Sequence, residues 1–320
     1  STLSAKMTAN MDLSGLPYTG YTSAEVEADI TKALVWVPIS EYISGGTRFY
    51  VGTFDGAGHY VTNMYAIGET YQGFFSMTGS RAGSSAVIKD FGVKSGKVTR
   101  TGTAGGSDAG IAAWAEGKNV VFQRCWNGAL IDSGRYGAGI VGVWNVQDSL
   151  IEDCYNVGEV KGKDSSGGII GQWSRNEVNY IRNCYNLGPV TVTTSAPVMT
   201  FGSGGIIGIC RDGSSTGGYQ FQMENCYSAG KIVGNKTSTG GLIGYTTKSI
   251  APVKNCYYDK ESSGQISAGA GITEAEAPGL TTEQAKSWSL AYALNGYRRE
   301  AKDASETSFT WKEGEYPTLY

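Results

Sequence analysis

The chain has 320 residues, 40% of them apolar, enough to bury a core as one long domain or as two ordinary ones. A formal charge of −3 with both signs interspersed excludes the basic stripe of a nucleic-acid binder, and no apolar run approaches the ~20 residues of a membrane span. Forty-seven glycines against seven prolines, without a collagen period, imply many turns and close backbone approaches.

The chain opens with "TLSAKMTANMDLSG", whose apolar and polar residues alternate and predict a first strand. No signal peptide is visible, and the abrupt start leads to the expectation of a mature or trimmed chain, with any signal or wall anchor lying outside it. Residues 17–35 read as a polar insertion, and residues 1–60 together as N-terminal capping strands and a lead-in segment. The single histidine, His59, lies in "FDGAGH". Any Ser–His–Asp or Cys–His catalysis would have to use it, and a structural role fits it better.

From residue 61 the chain repeats. Cys125, Cys154, Cys184, Cys226 and Cys256 recur at gaps of 29, 30, 42 and 30, with Phe91 and Met64 filling the same slot upstream. Three residues earlier stand Val61, Ile88, Phe122, Ile151, Ile181, Met223 and Val253, all apolar. One residue earlier comes Asn63, Asp90, Arg124, Asp153, Asn183, Asn225 or Asn255, mostly types that tolerate a left-handed turn. A second motif lies between the cysteines: "AGIAA", "AGIVG", "GGIIG", "GGIIG" and "GGLIG", starting at Ala109, Ala138, Gly167, Gly204 and Gly240, with "QGFFS" at Gln72 as a weaker copy.

A unit of about 29 residues with strand-like pieces and no helical period is one coil of a solenoid. The expected fold is all-β: a right-handed parallel β-helix of about seven coils over residues 61–270. In-register coils stack each slot into a ladder, about 4.8 Å per step. The cysteines then form an inward ladder of buried thiols. A disulfide framework fits less well, because in-register Cβ atoms stand further apart than the about 3.8 Å a disulfide takes. A metal site fits least, because no cysteines stand two to four residues apart. Cys210 lies outside this ladder. Neither a metal nor a cofactor is expected. "GSDAG" and "GKDSSGG" read as turns rather than calcium loops.

If the cysteines point inward, their next neighbours point outward. Those neighbours are Tyr65, Gly92, Trp126, Tyr155, Tyr185, Tyr227 and Tyr257, a nearly continuous aromatic flank. Trp144 and Trp173 lie five residues after their motif glycine, and Trp114 four after its own. Aromatic faces with polar tips suit sugar and protein contacts, while mutual stacking is the structural alternative. Trp114, Trp126, Trp144, Trp173, Tyr155 and Tyr185 are therefore the candidate ligand-binding residues. Two insertions, "TTSAPVMTF" and "RDGSSTGGYQF", bulge from the stack, and the second adds Arg211 and Asp212 to the candidates. Two residues before the cysteine slot, Lys89, Gln123, Glu152, Arg182, Glu224 and Lys254 alternate in sign from Glu152 onward, as in a solvated salt ladder rather than a catalytic carboxylate pair.

At the end, "TTEQAKSWSLAYALNG" predicts a helix over about 282–295. Thr281 and Gln284 form its capping box and Gly296 its stop, with Ala285, Trp288 and Tyr292 on one face. Residues 271–320 are expected to cap the last coil.

The "GGIIG" and "GGLIG" segments, together with "NCYNLGPV", resemble the GLUG-motif repeats of bacterial secreted and cell-surface proteins. "VGTFDGAGHYVTNMYA" looks like the segment that precedes such repeats, and "FTWKEGEYPTLY" like the one that closes them. The resemblance covers nearly the whole chain. It departs from the family where isoleucine replaces leucine, and where "GIAAW" lacks the final glycine. It implies a β-helix, bacterial origin, a place outside the cell and an adhesin-like role, and it brings no catalytic residue. The expected function is a non-enzymatic surface module, monomeric, binding a host or microbial glycan or protein. The alternatives are a polysaccharide-active lyase or hydrolase and a passive stalk.

Overall fold

The computed structural model describes the chain except residues 1–3, 15–34, 41–47, 81–83, 102–104, 176–177, 195–200, 212–220, 236, 248, 301–310, 313 and 320, and the side chains of 297–300. Both inserted segments fall largely outside the described residues, as do Asp212 and most of the polar insertion at 17–35. Four parallel sheets run the length of the molecule and make it a parallel β-helix. Two of the sheets have six strands, so there are about six turns, one fewer than the repeat count predicts.

The cysteine slots lie in the largest sheet. Phe54, Ile88, Phe122, Ile151, Ile181 and Met223 pair in one register, and all six side chains are buried. From Ile88 onward each is followed three residues later by an inward cysteine or, at Phe91, its equivalent, which a regular strand of period two cannot arrange. The intervening left-handed residue solves this. Asp90, Arg124, Asp153, Asn183, Asn225 and Asn255 all have φ between 49° and 53° or, for Asn225, 56°. The kink resets the alternation and turns the cysteine back into the core. All six cysteines are free and buried. The Cys125 and Cys184 amides donate to Cys154 Sγ and Cys226 Sγ, each at 3.4 Å. Burial pushes the Cys125, Cys184 and Cys210 thiols well up from the ordinary thiol range.

A second ladder stands two residues further on. Asn127 Nδ2 donates to Asn156 Oδ1, and Asn156 Nδ2 to Asn186 Oδ1, both at 2.8 Å. Each amide also holds a carbonyl of its own turn: Ala129, Gly158 or Gly188. Its trace in the sequence is the "CWN" and "CYN" triplets, whose third residue is easily read as mere turn chemistry.

Opposite, Ala66, Val98, Ile131, Val160, Val190 and Ile232 form the apolar column of a six-stranded sheet. Met64 belongs here, paired with Gly96, and not in the cysteine slot. Val61 likewise pairs with Val93, so it does not continue the Ile88 column. The turn at Ala57 and Gly58, both with positive φ, adds residues to the first coil and shifts the register.

The glycine motif joins a short sheet to the other six-stranded sheet through a tight corner. At Gly208 a Cβ would stand 2.6 Å from the Gly171 carbonyl oxygen and 2.7 Å from Ser166 backbone, so only glycine lets the two strands approach. The two apolar residues of each motif, such as Ile206 and Ile207, are fully buried. The first coil is closed by an aromatic plug in which Trp36 stacks on Phe74 at 4.8 Å, and Phe54 packs edge-on against Phe75 and Phe91. The alternating N-terminal segment supplies two short parallel strands, Ala5–Lys6 and Met11–Asp12, rather than one.

The C-terminal segment begins with α1, Lys260–Ser263. The predicted helix is split into α2, Thr282–Ala285, and α3, Trp288–Glu300. The Thr281–Gln284 capping box is present, but α3 runs through Gly296. The buried face carries Ala285, Leu290, Ala291 and Leu294, while Trp288 and Tyr292 are 63% and 64% exposed. The strand Gly279–Leu280 extends the cysteine sheet past Tyr258 and Asp259. The helices and the antiparallel pair Trp311–Lys312 with Thr318–Leu319 lie on the side of the coils instead, forming a second core against Tyr185, Tyr227 and Ala229.

Candidate functional site

The outward slot after the cysteines is an aromatic column. Trp126 and Tyr155 stack with centroids 5.8 Å apart and planes within 3°. Tyr155 and Tyr185 follow at 4.8 Å, then Tyr185 and Tyr227 at 5.5 Å. Parallel strands in register dictate this spacing, since each ring repeats the step of the backbone beneath it. At the lower end the slot is filled by Gly92, where a Cβ would lie 2.0 Å from Trp126 Cε2. The indole therefore lies across Gly92 and reaches Tyr60 at 5.9 Å. Tyr65, expected in this column, pairs with Lys97 in another sheet.

The C-terminal segment divides the column. Trp311 packs at a steep tilt against both Tyr185 and Tyr227, at 5.6 and 5.5 Å, and the Tyr227 hydroxyl donates to the Pro317 carbonyl. Tyr185 and Tyr227 are thereby buried to about 1% exposure. Asp259 ties the segment down. It caps α1 through the Glu261 and Ser262 amides, and accepts from the Thr282 hydroxyl at 3.0 Å and the Tyr316 hydroxyl at 2.9 Å. Trp126 and Tyr155 remain half-buried and open on one side.

The other predicted site residues scatter. Trp144 and Trp173 are fully buried, paired with each other and with Cys210 in one inward column. They present no face to a ligand. Their alternation is unreadable in sequence because Ile140 and Val141, consecutive residues at the corner, are both buried. Tyr185 is core beneath the C-terminal segment. Arg211 directly follows the strand Ile207–Cys210 of the motif sheet, its amide donating to the Trp173 carbonyl at 2.8 Å. Trp114 is half-buried on a different flank, edge-on to Tyr71 at 5.8 Å and donating from Nε1 to Glu116 Oε2 at 3.0 Å.

Charges beside the open column are paired. Gln123 Nε2 donates to Glu152 Oε2 at 3.1 Å, Arg124 holds Asp90, and Lys94 lies 4.9 Å over the Tyr60 ring. Further up, Glu224 is held between Arg182 and Lys254 at 3.6 and 3.1 Å. His59 Nδ1 is 3.2 Å from Asn10 Oδ1. The segment "GSDAG", expected as a turn, is a buried strand, Ser107–Ala109. Its Asp108 accepts from Ser133 Oγ at 2.8 Å and from the Gln72 amide at 2.9 Å, and pairs with buried Arg100 at 3.4 Å. Stacked rings cover one another's faces, so the open column offers ring edges, a phenol tip and paired charges for recognition.

These features define a parallel β-helix with a laterally docked C-terminal segment and a partly open aromatic flank. No family model and no curated protein matches the sequence. Among solved structures, the whole chain is similar to 86% of a chain from Bacteroides ovatus named a putative immunoglobulin A1 protease, at 19% identity and a TM-score of 0.63. At that identity the likeness shows the shared fold alone.

Proposed function

We propose that the chain is a non-enzymatic binding module of a bacterial cell surface, acting as a monomer outside the cell and recognising a glycan or protein ligand through an exposed face of the β-helix. The observation that carries this is the open end of the aromatic column, Trp126 over Tyr155, held rigid by the register of the sheet beneath. The GLUG-like motifs support a surface setting. Their glycines and apolar pairs are all spent on the corner of the coil, which leaves recognition to the outward slots.

The test is an immobilised panel of host and bacterial glycans and surface proteins, with immunoglobulin A1 included because of the name of the structural neighbour. Retention, released sugar ends and cleaved peptide bonds are recorded together. Retention without any cleavage, weakened at least tenfold by Trp126→Ala, is expected. Release of sugar or cutting of immunoglobulin A1 would overturn the reading in favour of an enzyme. No retention of any kind would leave the passive stalk.

A further inference from the structure

The contact between the coils and the C-terminal segment uses an element that the column offers twice. Trp311 lies 5.6 Å from Tyr185 and 5.5 Å from Tyr227, tilted by 58° and 60° to their planes, while the two tyrosines stack at 5.5 Å. Three nearly equal distances place the indole beside the stack, across the edges of two consecutive rings. Two residues after those tyrosines stand Leu187 and Ala229, one branched and one small, and both pack into the same core.

Two steps of about 4.8 Å down the column, the same slots are filled in the same way. Trp126 and Tyr155 stack within 3°, and Gly128 and Val157 follow them by two residues. Again one is small and the other branched. A Cβ on Gly128 would stand 2.7 Å from the Lys94 carbonyl oxygen, so the slot takes no side chain and the surface beside the rings stays low. Val157 is 45% exposed. This stretch is continuous with the interface above it, because Tyr155 already packs against the edge of the C-terminal core.

What the rings offer decides what covers them. A sugar needs an open aromatic face, yet Tyr155 takes one face of Trp126 and the other lies across Gly92. Ring edges instead meet the face of another aromatic at a tilt, as they do with Trp311. The rim is basic. Lys94 is exposed, lies 4.9 Å over the Tyr60 ring and has no carboxylate partner among the described residues. We infer that Trp126, Tyr155, Gly128 and Val157 form a docking site for a protein partner that presents a tryptophan with acidic neighbours. The chain's own "FTWKEGEYPTLY" has that chemistry and meets the upper coils in that way. The inference rests on the binding-module reading and selects protein over glycan as the ligand.

The probe is a fluorescent synthetic peptide, FTWKEGEYPTLY, titrated with the full chain and followed by anisotropy. Saturable binding is expected. Trp126→Ala, or alanine in place of the peptide's tryptophan, should weaken it tenfold or more, and Val157→Ser and Lys94→Glu about fivefold each. Tyr245→Ala, on another sheet, should leave it unchanged. Circular dichroism of each variant confirms the β-helix. No binding, or binding indifferent to Trp126→Ala and Val157→Ser, would overturn the docking site. Binding that appears only after Trp311→Ala would overturn it too, since the peptide would then be replacing the chain's own segment. If a glycan is retained through Trp126 while the peptide is not, the binding module stands and the protein partner falls.

Discussion

Two stretches of one column behave as different materials. At Tyr185 and Tyr227 the aromatic rings are core, pressed under Trp311 and sealed from water. At Trp126 and Tyr155 the same slot, on the same sheet and in the same register, is only half-buried, with Tyr155 at the edge of the core that the C-terminal segment forms. The repeat sets where a ring points and how far it stands from the next. What docks on it sets whether it stabilises the fold or remains available to a partner.

The sharpest way to break this comparison is to remove Trp311, which covers both rings. Trp311→Ala should cost about 3–5 kcal/mol and expose Tyr185 and Tyr227, read as a lowered urea midpoint and new protease cleavage after residue 280. Trp126→Ala, on the open stretch, should cost about 1 kcal/mol or less in the same measurement. Equal losses would mean that the two stretches do not differ as described.

Smaller changes sharpen it. Asp259→Ala removes the cap of α1 and two hydroxyl contacts, and should cost about 2 kcal/mol. Hydrogen exchange should then speed up in α2 and α3 while the coils around Asn156 stay protected. Tyr227→Phe loses only the hydrogen bond to Pro317, about 1 kcal/mol, with the ring stack intact by near-ultraviolet dichroism.

The smallest effect lies at the opposite end, where Asp12 is held down to about 2 by hydrogen bonds from the Ser14 amide and the Asn63 side chain. A carboxyl lowered on folding stabilises the folded form above its unfolded value of about 3.9, and that contribution is lost as pH falls through its folded value. The Met11–Asp12 strand should thus stay docked at pH 4 and loosen toward pH 2, measured by amide exchange at Ser14 and Leu13. Loosening already at pH 5 would assign it to another group.

Much of the fold was legible because it depends on local rules repeated many times. Asn183, Asn225 and Asn255 announced the left-handed kink, and the cysteines three residues after Ile181, Met223 and Val253 announced its effect on side-chain direction. The pairing of Arg182, Glu224 and Lys254 was equally readable, but not its burial: Glu224, expected in a solvated ladder, is buried. The site was less so. Trp173 and Trp126 look alike in sequence, yet one fills the core beside Cys210 and the other lies across Gly92. Met64 fell out of its expected slot because the extra residues in the turn at Ala57 and Gly58 shift everything after it, while Phe54 before the turn keeps the column.

By itself, then, the sequence determined the coil: its length, its inward columns, its glycine corner and its parallel stacking. Each is a short-range requirement that every repeat must satisfy against the next. Only the tertiary structure decided which aromatics stay partly open and where the C-terminal segment lies. Those depend on contacts between residues as far apart as Tyr185 and Trp311, for which no local pattern exists.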